Sequence, residues 1–182
     1  MVRTQPWKMA VVLAAALMTA GCPRILYLNY QPSTSLKGHG PVQVDAFAYS
    51  GHPTGLVRMK EVESSSKDVE ALYLSQDIGV FFTNALRSEL AFAGYDLQPA
   101  SARIVSGKIE QFYLDYVGEQ DQLFQVSATF YVAAKDGMSF TSSCRSSQQQ
   151  PKYWMKTGLL IKSGITECVE QFMKAAQAAG AL

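Results

Sequence analysis

Side chains that could do chemistry are sparse in this chain. Three cysteines, Cys22, Cys144 and Cys168, offer thiols. The two histidines, His39 and His52, sit in Gly/Pro-rich loops on either side of a predicted first strand. A metal site there would need further ligands, with Asp45 the nearest carboxylate, so the expectation is two solvated loop histidines and no metal. Glu61, Glu63, Asp68 and Glu70 lie among Lys60 and Lys67, without the spacing of a calcium loop, and read as a solvated face. No histidine lies near a serine or cysteine in the way a hydrolytic triad needs, and no Gly-rich phosphate loop is present. Aromatics carry more interest. Tyr113 and Tyr116 on one long strand, Tyr131 on the polar side of the next, and Trp154 at the start of the last helix are candidate contacts for a partner or a lipid. The alternative is that they cover the second face of their sheet or the arm from Gly51 to Glu70.

Two fragments have an enzymatic likeness. Ser64-Ser65-Ser66-Lys67 fits S-x-x-K and Lys156-Thr157-Gly158 fits K-T-G, which resembles the nucleophile and wall of penicillin-recognising enzymes. No S-D-N-like element separates them, the chain is far shorter than that fold, and Lys156-Thr157-Gly158 opens a helix. No catalytic residue is therefore expected.

The N-terminus has a clearer chemistry. Arg3 and Lys8 precede an apolar run from Met9 to Met18, which ends at Thr19-Ala20-Gly21 before Cys22. This is the layout of an export signal, and the run falls short of the roughly 20 residues that span a bilayer. Thr19-Ala20-Gly21-Cys22 resembles a lipobox, with Thr19 where lipoproteins usually carry Leu. The reading is a signal peptide over residues 1–21 and a mature chain that begins at acylated Cys22, a covalent lipid and no other cofactor. Ordinary signal cleavage beside a free thiol and an uncleaved anchor are the alternatives. Pro23, in place of the Asp that retains lipoproteins in the inner membrane, favours the periplasmic face of the outer membrane. Several acyl chains hold a protein to a membrane far more firmly than one.

The whole chain has 182 residues and a net charge of +1; without residues 1–21 it keeps 14 basic and 15 acidic groups. That balance excludes electrostatic nucleic-acid binding, and the remaining length suits one domain. Cys144 and Cys168 are then an even number in an oxidising compartment. A bridge between them is the expectation, with two buried free thiols as the alternative.

Residues 22–41, rich in Pro, Gly, Ser and Tyr, read as a flexible tether. Residues 42–182 read as a single domain. Val42 to Tyr49 alternates as a strand with Val42, Val44, Ala46 and Ala48 on one face. Ser50 to Glu70 is a long loop or irregular arm. Ser75 to Ala93 is a helix with Ile78, Phe82, Ala85, Leu86, Leu90 and Ala93 on its apolar stripe, Asp77 or Ser75 as its cap and Gly94 as its stop. A short strand at Tyr95–Leu97 follows. Ala102 to Tyr116 is a long strand with a bulge near Phe112. Phe124 to Val132 alternates most cleanly. Asp136-Gly137 makes a hairpin, Met138 to Ser147 a polar edge strand, and Gln148 to Pro151 a loop. The last helix runs from Tyr153 to Ala178, with Ile161, Ile165, Cys168, Val169, Phe172, Met173 and Ala176 facing in. Cys168 on that stripe and Cys144 on the edge strand face one core. The fold class is α+β: a single mixed, mainly antiparallel sheet of four to five strands, with two helices packed on one face.

Asn84 to Tyr95, with its Gly94-Tyr95 ending, and Val105-Ser106-Gly107-Lys108-Ile109-Glu110-Gln111-Phe112 resemble the core of small envelope lipoproteins of the YajG-like family and of the PqiC-like auxiliary lipoproteins of ABC-type lipid transporters. The resemblance spans about Val42 to Ala178, and the loop from Gly51 to Glu70 departs from it. It implies a periplasm-facing accessory protein without catalysis: a scaffold subunit of a membrane-associated envelope complex, or alternatively a component that carries lipid or lipopolysaccharide in a cleft.

Overall fold

The structure, a computed structural model, describes residues 24–50, 60–64, 72–117, 121–134, 137–151 and 156–182. The stretch read as an export signal (residues 1–21), Cys22, His52, Lys67 and Trp154 lie outside these residues.

The elements in chain order are β1 (Arg24–Leu26), β2 (Pro41–Val44), β3 (Ala48–Tyr49), β4 (Leu72–Leu74), α1 (Ile78–Ala93), β5 (Asp96–Leu97), β6 (Arg103–Val117), β7 (Asp121–Ala134), β8 (Ser139–Pro151) and α2 (Thr157–Ala178). Six strands form the main sheet in the order β5-β2-β6-β7-β8, with β3 also on β6, while β1 and β4 form a separate two-stranded ribbon. Single bridges from Glu61 to Tyr73 and from Glu63 to Tyr113 link the ribbon to β6.

The architecture is α+β, with a correction to the expected sheet. It has six strands where four to five were expected, and it is mixed: the two long pairings, β6 with β7 and β7 with β8, are antiparallel, while the short pairings of β2 with β5 and β6, and of β3 with β6, are parallel. The reason is topological. A helix between strands carries the chain back, so strands before α1 run parallel to strands after it. The long hairpins β6–β7 and β7–β8 are antiparallel.

Alternation in β7 sets the core. Phe124, Val126, Ala128, Phe130 and Val132 are buried. Phe130 stacks on Phe172 of α2 with ring centroids 4.2 Å apart and lies 6.0 Å from Phe82 of α1. One side chain thus touches both helices, which fixes them on the same sheet face. At Gly164 of α2 a Cβ would fall 2.6 Å from the Phe124 ring, so the missing side chain sets how closely the helix approaches.

The helix ends follow their sequence cues. Asp77 caps α1 by accepting from the Gly79 N–H at 3.0 Å. Gly94 stops it in the left-handed region at φ 106°. α2 begins at Thr157, and residues 152–155 lie outside the described set.

Two local expectations shift and one holds. The first strand breaks after Val44, and its burial changes phase, so Phe47 and Tyr49 are buried where Ala46 and Ala48 were expected. The cause is Phe47, whose N–H donates to Thr83 Oγ1 at 2.9 Å and whose ring packs against Phe82 and Phe130. The bulge expected near Phe112 is present, between Ile109 and Gln111. Residues Gln148 to Pro151 are strand, not loop, because register with β7 continues to Asp121 opposite Pro151.

The largest correction concerns residues 22–41. From Arg24 onward they are not a free tether. After β1 the chain runs along the helix pair, with the Gly38 N–H donating to the Ala93 carbonyl at 2.9 Å. Backbone groups in this strap find partners at distant positions, which composition alone could not show.

Candidate functional site

The four aromatic candidates do not form one cluster. Tyr131 is 42 % exposed on the outer sheet face, opposite Ser106 and Thr141. Tyr113 is half-buried on the same face, and its hydroxyl donates to the Asp115 carboxylate. Tyr113 pairs with Gln125, six residues before Tyr131 on β7, about 20 Å of strand. Tyr116 pairs with Gln122 at a position of opposite parity, so it belongs to the helix side of the sheet. Trp154 lies outside the described residues.

The enzymatic fragments gain no geometry. Ser64 is described without Lys67, and Thr157 donates to Gln122 Oε1 at 3.3 Å from the first turn of α2. His39 is exposed on the strap. Among the described residues no group of three or more His, Cys, Asp or Glu side chains could hold a metal. Among them, too, no helix is long and apolar enough to cross a membrane.

Cys144 and Cys168 are joined in a disulfide, with Cα atoms 5.1 Å apart. The bridge ties the β8 edge to α2, and both cysteines are buried. Beside it, Gln171 of α2 accepts from the Arg145 N–H at 3.2 Å and donates to the Arg145 carbonyl at 3.0 Å. An amide side chain therefore takes the place of a neighbouring strand at that point of the edge.

The most concentrated polar site is one the sequence reading did not single out. Glu89, on the buried side of α1, is fully inaccessible to solvent. Its carboxylate accepts from the Tyr30 hydroxyl at 2.5 Å, the Ser33 N–H at 3.1 Å, the Thr34 N–H at 2.9 Å and Thr166 Oγ1 at 3.3 Å. Strap, α1 and α2 meet on this one side chain. A buried carboxylate survives only when hydrogen-bonded in this way. Burial, then the bond to Glu89, push the Tyr30 hydroxyl well above its ordinary range. A signal existed: Glu89 follows Leu86 by three and precedes Ala93 by four, an acid on the apolar stripe.

A second carboxylate of this kind, Glu63, accepts from the Tyr49 hydroxyl at 2.5 Å and from the Phe112 N–H at 3.1 Å, just past the β6 bulge. Burial, then the bond to Glu63, raise Tyr49 likewise.

An open groove of about 210 Å³ lies beside β2 and β5, lined by Val44, Arg87, Leu97, Gln98 and Pro99 among others. Arg87 donates to the Val44 carbonyl at 2.6 Å. The groove is smaller than pockets that enclose small-molecule ligands, roughly 300–1,000 Å³. Phe82, Phe112, Phe124, Phe130 and Phe172 fill the space between helices and sheet.

No family model and no curated protein matches the chain. Among solved structures it is similar to protein XCC0632 from Xanthomonas campestris, described under the family model DUF330, at 10 % identity and a TM-score of 0.61 over 86 % of this chain and 96 % of that one. It is similar to a second protein, described only as uncharacterized, at 12 % identity and a TM-score of 0.55 over 87 % and 99 %. At identities this low, the likeness is one of fold.

Proposed function

We propose that this chain is a non-enzymatic lipoprotein of the bacterial envelope, anchored by acylated Cys22 to the periplasmic face of the outer membrane, where it serves as an accessory or scaffold subunit of a membrane-associated complex. The observation that carries the reading is the short apolar run ending in Thr19-Ala20-Gly21-Cys22, directly before a domain that folds from Arg24. The resemblance to YajG-like and PqiC-like lipoproteins points the same way. The filled space between helices and sheet favours a contact surface over a carrier with an internal lipid cleft.

Crosslinking capture of the lipidated protein from its own envelope, beside a Cys22→Ala form, tests the reading. Defined membrane proteins trapped only by the lipidated form are the expected result. Lipid that copurifies with no trapped protein would replace the scaffold by the carrier.

A further inference from the structure

We infer that one end of the molecule, formed by β1, the facing ends of β6 and β7 and the first turn of α2, lies against the bilayer that holds the acyl chains. The inference rests on the lipid-anchor reading and adds to it an orientation and a surface.

The course of the strap identifies this end. Leu28 packs at the start of α2, where a Cβ on Gly158 would fall 2.9 Å from its Cδ2. Tyr30 bonds Thr166 at 2.8 Å, and the Lys37 carbonyl accepts from Gln177 at 2.8 Å. Nine residues from Leu28 to Lys37 thus keep pace with nineteen of helix from Gly158 to Gln177. Both lengths are about 30 Å for extended chain and α-helix. The strap is therefore drawn out straight alongside α2, and the residues before Leu28 lie beyond the start of that helix. The sheet agrees. Arg24 pairs with Leu72 at the start of β4, the Glu63 bridge sets this part of the ribbon beside Tyr113 near the end of β6, and Thr157 reaches Gln122 at the start of β7.

Cys22 is two residues before Arg24. At about 3.3 Å per residue, the acylated cysteine stands within roughly 7 Å of the folded ribbon. So short a connection cannot hold the domain away from the headgroups. The surface at this end suits such contact: Tyr27 is 78 % exposed, Leu159 52 %, Ile25 50 % and Val117 44 %, with Lys156 exposed among them. Tyrosine presents an apolar ring and a polar tip, the combination favoured at a membrane interface, and lysine there meets lipid phosphates.

Single-tryptophan reporters test the orientation on the full acylated protein. With residues 1–21 removed, Trp154 is the remaining tryptophan. In a Trp154→Phe background, Tyr27→Trp and Leu159→Trp report the proposed contact end, and Phe92→Trp and Leu97→Trp the far end. Each form is reconstituted into vesicles of phosphatidylethanolamine and phosphatidylglycerol with brominated acyl chains. The proposal expects Tyr27→Trp and Leu159→Trp to lose most of their fluorescence and Phe92→Trp and Leu97→Trp to keep theirs. Equal quenching at both ends, or stronger quenching at the far end, overturns it. Mass spectrometry of the N-terminal peptide separates the two failures. An acylated Cys22 without quenching at the contact end sinks the orientation alone, whereas an unmodified Cys22 removes the anchor beneath it.

Discussion

Glu89 shows how a single side chain holds three elements together. Its partners include two backbone N–H groups from the strap, and removing the carboxylate leaves the buried Thr34 N–H and the part-buried Ser33 N–H without this acceptor. An unsatisfied buried donor costs about 1–3 kcal/mol. Glu89→Ala is therefore expected to destabilise the fold by about 3 kcal/mol in urea denaturation, and to open residues 24–37 to protease before the sheet. Equal protection of the strap in variant and parent would show that it docks without this clasp. The alkaline limb of stability follows from Tyr30 and Tyr49. Both hydroxyls are raised above the ordinary value of 10.0 in the folded state. A raised pKa means that the unfolded chain releases its proton first. Their contribution is thus complete below pH 10 and is lost progressively above it. Denaturation midpoints should stay level up to that point and then fall, and Tyr30→Phe with Tyr49→Phe should make the fall shallower. Of these residues only the acid on the α1 stripe was legible in sequence. Its donors come from 55 to 77 positions away, a distance that spacing rules do not reach.

Elements with strong periodicity were read nearly to the residue. α1 has its cap, stripe and glycine stop where the pattern puts them, and β7 buries each alternate residue from Phe124 to Val132. Where burial is decided across the sheet, local pattern fails. The polar Gln148-Gln149-Gln150 run looks like a loop, yet its backbone pairs with β7 all the way to Asp121. The small β3 is displaced by one large ring, Phe47. The Cys144–Cys168 bridge belongs to this scale. It closes a segment with a sequence separation of 24, and loop-entropy arguments give such a link roughly 3 kcal/mol. Reduction, or Cys144→Ala with Cys168→Ala, should lower the unfolding free energy by about that amount while leaving the fold intact. The Gln171 contact is separable from it. Gln171→Ala should cost about 1 kcal/mol and raise hydrogen exchange at the Arg145 amide, with little change at Cys144, whose amide lies on the β7 side of the strand. Uniform acceleration along β8 would mean that Gln171 holds the whole edge and not one peptide.

At the scale of the molecule, what composition concealed was the strap. Pro, Gly and Ser between Pro23 and Pro41 suggest loose chain, but extended chain with satisfied backbone groups has the same composition. On the proposed lipid anchor the difference bears on function, because a tether would let the domain wander from the membrane and a strap fixes its distance. If the protein is a scaffold, its far end, with Phe92 and Leu97 exposed, is presented about 30 Å from the anchored end, the length of α2. Ten Gly/Ser residues inserted between Pro23 and Arg24 would add a mean reach of about 18 Å without touching the clasp, the bridge or Cys22. The denaturation midpoint should not move and the protein should remain in the membrane fraction. Crosslinking to envelope partners should nevertheless fall, because sites once held at a fixed height would now sample a range of heights. Undiminished crosslinking in a folded, membrane-bound insertion form would show that the partner follows the domain wherever it goes, and that the short connection serves the membrane contact alone.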